Sequence, residues 1–283
     1  MSRRARPFNA PARRWRSALT AFIALIFMLP LWWVAISALR PEAEIFRYLS
    51  PLSWQTLLPT QLTADHFVQL WQGSFRLAIF NSMLVAAVTL VLGLFVCSIA
   101  AFALAVIDFP GRRFVFPIMV VSFLIPFDAI AVPLLGIVRR MDLQNTYIAL
   151  ILPGIGNGLA VFLLRQFFLG IPKDLLEAAR VDGLGWFGIY RQIYLPLSVP
   201  ALISAGLILF VFQWQAYLWP LLVAPATEYK VGAVAIAQMS DPYLTNNGPV
   251  FAAALCLSLI PMLVLTIFQR NYIASVATTG GKG

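Results

Sequence analysis

Between Arg76 and Asp108 the chain runs from Leu77 to Ile107 without a single charged side chain. A helix needs about 20 apolar residues to cross a bilayer core of about 30 Å. An uncharged run this long leaves few foldable outcomes, because every backbone polar group in lipid must be satisfied within the segment. The run is not alone. Ser17 to Leu39, Phe114 to Val138 (interrupted once, by Asp128), Leu143 to Leu164, Ser198 to Ala224 and Val250 to Gln269 share its character. Only 11% of the 283 residues are charged and 61% are hydrophobic. Soluble domains carry about a quarter charged residues. These observations predict an all-α integral membrane protein with six transmembrane helices.

The charges that remain orient the spans. Arg3, Arg4, Arg6, Arg13, Arg14 and Arg16 crowd the first sixteen residues. An arginine-rich end before an apolar run fixes topology, and with it the net charge of +9 loses any implication of nucleic-acid binding. The run 17–39 is too long for the apolar stretch of a signal peptide, about 7–15 residues, and reads as a retained anchor. With six spans, 14 basic residues fall on the side of the amino end and 6 on the other. Both termini are therefore expected in the cytoplasm, 1–16 at one end and 270–283 at the other. The segment 40–76 is then the long extracytoplasmic one, too small to be a domain by itself. Cys97 and Cys256 lie in apolar runs and read as core residues, and His66 has no ligand cluster around it, so neither a disulfide nor a metal site is expected.

One stretch departs from the pattern. Residues 170–197, between the fourth and fifth spans, hold Glu177, Arg180, Asp182 and Arg191. Pro172 suits the first turn of a helix, and Asp174 and Glu177 suit its positive end. Leu175, Leu176 and Ala179 can share a face. Gly183 suits a C′ position, and a second short helix can run from Trp186 towards Tyr194, ended by Pro196. This helix–turn–helix reads either as a docking surface for a soluble partner or as an ordinary interfacial helix.

The spacing of the stretch resembles a known family. Glu177-Ala178-Ala179, three residues, Gly183, nine residues, Ile193, one residue, then Leu195-Pro196 is similar to the EAA loop of ABC-importer permeases, and every named position matches. Asp108-Phe109-Pro110-Gly111-Arg112-Arg113, Asn81-Ser82, Phe212-Gln213-Trp214-Gln215 (Asn is common where Gln215 stands) and the tail Gly280-Gly281-Lys282-Gly283 resemble features of the maltose-type members. The resemblance spans residues 17 to 283. It implies the type I ABC importer permease fold, with short cytoplasmic coupling helices and a transmembrane domain over 77–269. It implies that Glu177, Ala178, Ala179, Asp182, Gly183, Ile193, Leu195 and Pro196 couple to an ATPase, with Glu177 as the ionic contact, the alanines as the close-packed face and Gly183 as the turn. The implied partners are a second homologous permease, two ABC ATPase subunits and an extracytoplasmic solute-binding protein in a bacterial inner membrane. The implied cargo is a sugar, with a polyol, a sugar phosphate or a peptide as nearer alternatives.

No G-x4-GK-[ST] phosphate loop is present in the sequence, so no catalytic residue is expected here; ATP and Mg belong on the partner. Gly154 and Gly158 read as a helix-packing pair. Asp128, between Pro126 and Pro133 where a helix can bend, reads as a hydrogen-bond acceptor for a hydroxylated solute, as a structural partner for the second permease, or as an interfacial residue in water. Gln213, Trp214, Gln215 and Trp219 can supply an aromatic platform with amides, Gln215 and Trp219 sharing a face, or can simply pack and anchor the interface. Asn157 is a weaker pathway candidate. An ion-driven carrier would account for Asp128 but leaves the polar module unexplained, and a scaffold would leave the polar span residues incidental.

Overall fold

The computed structural model describes residues 10–239 and 246–280, with side chains over 15–239 and 246–269. Arg3, Arg4, Arg6 and the Gly281–Gly283 end of the tail lie outside the described residues, as do the side chains of Arg13 and Arg14. The described residues are helical almost throughout. In chain order the helices of six residues or more are α1 (Ala10–Ala38), α2 (Asp65–Gln72), α3 (Phe75–Val106), α4 (Arg112–Leu124), α5 (Phe127–Arg140), α6 (Tyr147–Ile155), α7 (Gly158–Leu169), α8 (Lys173–Val181), α9 (Trp186–Leu197), α10 (Val199–Trp214), α11 (Leu218–Val223), α12 (Gly232–Met239) and α13 (Gly248–Gly280).

The chain divides into two compact units. Among the described residues the first comprises 10–73 with 239 and 246–256, so residues 40–73 of the expected outer segment are organised together with α1 and the start of α13 rather than as a bare loop, while 74–76 open the second unit. Its keystone is Glu42. The carboxylate accepts from the Asn247 and Gly248 backbone N–H groups, both at 2.7 Å, and from Asn247 Nδ2 at 3.2 Å. A negative charge on the N-terminal N–H groups of α13 complements the helix dipole. Nearby, Arg40 is almost fully buried and donates to the carbonyls of Gln55 and Thr56. Trp33 meets Phe251 edge-on at 5.1 Å.

The second unit, 74–238 with 257–280 among the described residues, is built around α3, which packs against α6, α7 and α10. Small residues permit this. A Cβ on Gly154 would come within 2.6 Å of Gln213 Oε1 and 2.8 Å of Thr89 Cγ2, and one on Gly158 within 2.7 Å of Phe123 Cβ. Both glycines are therefore packing contacts, as expected. They do not form one continuous face, because the helix breaks at Gly156–Asn157 between them and they meet different neighbours.

By length and composition α1, α3, α6–α7 and α13 can each cross a membrane, and two bent pairs raise the number to six. Two expected spans need correction. The third is not one helix: α4 and α5 meet at 97°. Ile125, held extended before Pro126, ends α4 because the proline ring disfavours helical backbone in the residue before it. The fifth does not run from Ser198 to Ala224. α9 and α10 meet at 84°, and α10 ends at Trp214. A proline accompanies each break: Pro200 has no N–H for the Pro196 carbonyl and Pro220 none for the Ala216 carbonyl, so one helical hydrogen bond is lost at each point. The fourth span is displaced, running from Tyr147 to Leu169 and including Arg165, which was expected to bound it. The Arg165 Nε donates to the Leu104 carbonyl at 3.1 Å, which accommodates the charge within the helix.

Candidate functional site

The polar stretch forms two short helices joined by a tight turn, as its residues suggest. α8 ends at a cap centred on Asp182, and Gly183 sits at φ +80°, a left-handed conformation that favours glycine. The Leu184 N–H donates to the Ala179 carbonyl and the Gly183 N–H to the Arg180 carbonyl, both at 3.0 Å. This pair of bonds is the Schellman arrangement, which satisfies the last carbonyls of a helix. Arg180 then lies over the Trp186 ring, 4.1 Å from its centroid, and ties α8 to α9.

α8 has two distinct faces. Asp174, Glu177, Ala178 and Val181 follow the i, i+3, i+4, i+7 spacing and are all exposed, Val181 to 88%. Ala179 is buried at 3% with Leu176 beside it. The expected shared face is thus corrected at Leu175, which is 42% exposed. The alanine pair also divides: successive helical residues stand 100° apart, so Ala179 packs inward and Ala178 points out. Asp182, Gly183, Phe187 and Arg191 join the exposed side.

α9 supplies the anchor. Tyr190 and Tyr194, one turn apart, are buried around Phe102 of α3, with centroids at 5.4 and 5.0 Å. Tyr194 also meets Phe168 of α7 edge-on at 5.5 Å. The Tyr190 hydroxyl lies 2.7 Å from Ser98 Oγ. Aromatic pairs of this kind contribute about 0.5–1.5 kcal/mol each beyond their buried area. Sequence reasoning missed this cluster, although the i, i+4 spacing of Tyr190 and Tyr194 was its visible signal. Pro196 does not end α9. The segment Tyr190–Tyr194 widens to a π turn, with the Leu195 N–H reaching the Tyr190 carbonyl, and the helix passes Pro196 to Leu197 before bending at Ser198. Ile193 and Leu195 are half-buried against the core, and Pro196 is exposed.

The remaining candidates do not converge. Asp128 is exposed in the first turn of α5, where the helix dipole favours its charge. Asn157 caps α7, its Oδ1 accepting from the Ala160 N–H at 3.0 Å. Trp214 is buried and stacked on Phe210 at 5.5 Å, in a core position. Gln213 lies against Gly154, half-buried. Gln215 and Trp219 do not share a face: the break after Trp214 leaves Gln215 exposed while Trp219 is buried, donating from Nε1 to the Ala149 carbonyl at 2.9 Å. Asn81 is fully buried and fully used, donating to the Glu228 and Lys230 carbonyls and accepting from the Tyr147 hydroxyl at 2.8 Å. Ser82 accepts from the Gly232 N–H at 2.8 Å, so this pair fastens the loop before α12.

The second unit is thus a bundle of bent apolar helices carrying a polar, core-anchored helix pair on one connection. The chain belongs to the family described as binding-protein-dependent transport system inner membrane component, whose model matches residues 93–277. It is 36% identical to the arabinooligosaccharides transport system permease protein AraQ of Halalkalibacterium halodurans, over 93% of this chain and 94% of that one. The AraQ protein of Bacillus subtilis is 30% identical over 94% and 95%. A chain from the crystal structure of a bacterial ABC transporter that imports the acidic polysaccharide alginate superimposes with a TM-score of 0.76 at 20% identity, covering 94% of this chain and 99% of that one. The protein is thus a multi-pass inner-membrane permease of an ABC importer, a transport subunit rather than an enzyme.

Proposed function

We propose that this chain forms half of an ATP-driven pathway for an oligosaccharide or related polyhydroxylated solute. A second, homologous permease supplies the other half. Two ATPase subunits bind and hydrolyse ATP with Mg, and an extracytoplasmic solute-binding protein delivers the cargo. Both termini face the cytoplasm, and so does the α8–α9 module.

One observation supports the coupling role above the rest. The module has an inner face locked into the core by Ala179, Tyr190 and Tyr194, and an outer face of Asp174, Glu177, Ala178 and Val181 left open. A rigid inner attachment lets a push on the outer face reach α3 and α7 rather than dissipate in a loop. Moving a two-state equilibrium from 1:99 to 99:1 needs about 5.5 kcal/mol of differential binding, which a flexible linker does not transmit. In this reading Glu177 makes the ionic contact with the ATPase, Ala178 and Val181 its close surface, and Asp182 with Gly183 the turn. Arabinooligosaccharides in the names of two relatives favour a short oligosaccharide as cargo.

The test is uptake of radiolabelled arabino-oligosaccharides by the complete complex in proteoliposomes. Accumulation that requires ATP, the binding protein and an intact Glu177 is expected. Uptake that persists without ATP, or that follows an imposed ion gradient, contradicts the assignment.

A further inference from the structure

The second unit holds a recess of about 570 Å³ that the coupling module does not use. It lies where α3 ends, α4 begins and α7 nears its end, and Arg112, Arg113 and Arg165 line it together with Asp108 and Phe114. Three guanidiniums face one carboxylate.

Two of the cations have partial internal employment. Arg112 donates from Nη1 and Nη2 to the Ile107 and Ala105 carbonyls, at 3.1 and 2.7 Å, and Arg165 donates from Nε to the Leu104 carbonyl. Cations at these carbonyls complement the negative end of α3. That accounts for Arg112, but not for the rest. The Arg165 guanidinium lies over Phe116, its central carbon 3.9 Å from the ring centroid, with its two terminal nitrogens outside that bond. Arg113 touches the Phe114 ring at 4.8 Å and makes no hydrogen bond or ion pair among the described residues. An arginine has five N–H donors arranged to grip phosphate oxygens.

The surroundings select the kind of phosphate. Below the recess α4 presents Phe114, Ile118, Val121 and Leu124, each at least 60% exposed, while Phe116 and Met119 turn inward to the core. A free anion has no use for such a stripe; an acyl chain does. Basic pockets between spans at the membrane surface suit phospholipid headgroups. We propose that Arg113 and Arg165 bind the phosphate of an anionic phospholipid whose acyl chains lie along the outer stripe of α4.

The test is native mass spectrometry of the complete complex in mild detergent, titrated with dioleoylphosphatidylglycerol, with dioleoylphosphatidylcholine, and with the former in the presence of inorganic phosphate. The expected result is selective retention of phosphatidylglycerol, weakened about fivefold by Arg113→Gln, since each basic residue near an anionic surface contributes about 1 kcal/mol. Arg113→Lys should keep most of the binding. Arg113→Gln removes no internal hydrogen bond, so its melting temperature should match the parent. Equal retention of phosphatidylcholine, or retention indifferent to Arg113→Gln, overturns the proposal. Displacement by millimolar phosphate reassigns the recess to a free anion. Failure to bind lipid, with a photo-crosslinker at Ile118 reaching only a protein subunit, shows that another chain covers the stripe. These readouts do not depend on transport, so they stand or fall apart from the coupling role.

Discussion

Gly183 is the point at which one atom should decide whether the module works. Its φ of +80° lies in the left-handed region, and a Cβ built there meets nothing within 4 Å. Any penalty for a side chain is therefore backbone strain and not collision. For Ala or Val the left-handed conformation costs about 1–2 kcal/mol, with the β-branched residue at the upper end, and Asn is tolerated better. At 1.4 kcal/mol per decade this depletes the seated turn about five- to thirtyfold. Proline goes further. Its φ is fixed near −65°, and it removes the N–H that donates to the Arg180 carbonyl, so the Schellman turn cannot form. The expected order of ATP-driven uptake is Gly, then Asn, Ala, Val and Pro, with Pro at background. Because Gly183 is exposed, the amount of complex in the membrane should not change across the series. Uptake by reconstituted complex, normalised to inserted protein, provides the assay. Parental activity in Gly183→Pro, or an Asn variant worse than Val, would refute the reasoning.

Three further outcomes follow from other parts of the molecule. Glu177→Lys should abolish uptake while shifting the unfolding midpoint little, since surface substitutions usually stay within about 0.5 kcal/mol; a large loss of thermal stability in detergent would show that Glu177 supports the fold instead. Phe102→Ala removes the ring at the centre of the Tyr190–Tyr194 cluster and should destabilise the second unit by about 3–5 kcal/mol, read as a lowered melting temperature together with faster amide exchange in α9. Glu42→Ala deprives the start of α13 of its carboxylate cap and should cost about 1 kcal/mol, seen as faster amide exchange at Gly248–Phe251; unchanged exchange there would show that the cap is idle.

What the sequence disclosed and what it concealed divide along physical lines. The turn at Gly183 was legible because a glycine following a helix of small and polar residues has one common use. The uncharged runs announced helices because lipid tolerates little else. The breaks were harder. Pro126 flagged a bend but not its 97° angle, which tertiary packing sets. The break after Trp214, where Pro220 can supply no N–H to the Ala216 carbonyl, separates Gln215 from Trp219, residues that an unbroken helix would have brought together. The polar residues of the spans were hard to read for a different reason. Asn157 and Trp219 hydrogen-bond to backbone of the same chain, at Ala160 and Ala149, and residue type alone does not separate that use from solute binding. Within the polar loop, the pattern named Ala178 and Ala179 together, whereas helix geometry points them in different directions.

The direct test of the account is contact at the outer face of α8. Val181 is 88% exposed and packs against nothing that folding needs, so a photo-crosslinking amino acid can stand there without disturbing the helix. Irradiation of membranes containing the complete complex should join this chain to the ATPase subunit in high yield, with the yield changing when ATP is added. A Val181 probe that reacts only with lipid or water, with or without nucleotide, would contradict the claim that this face is where ATP-driven motion enters the permease.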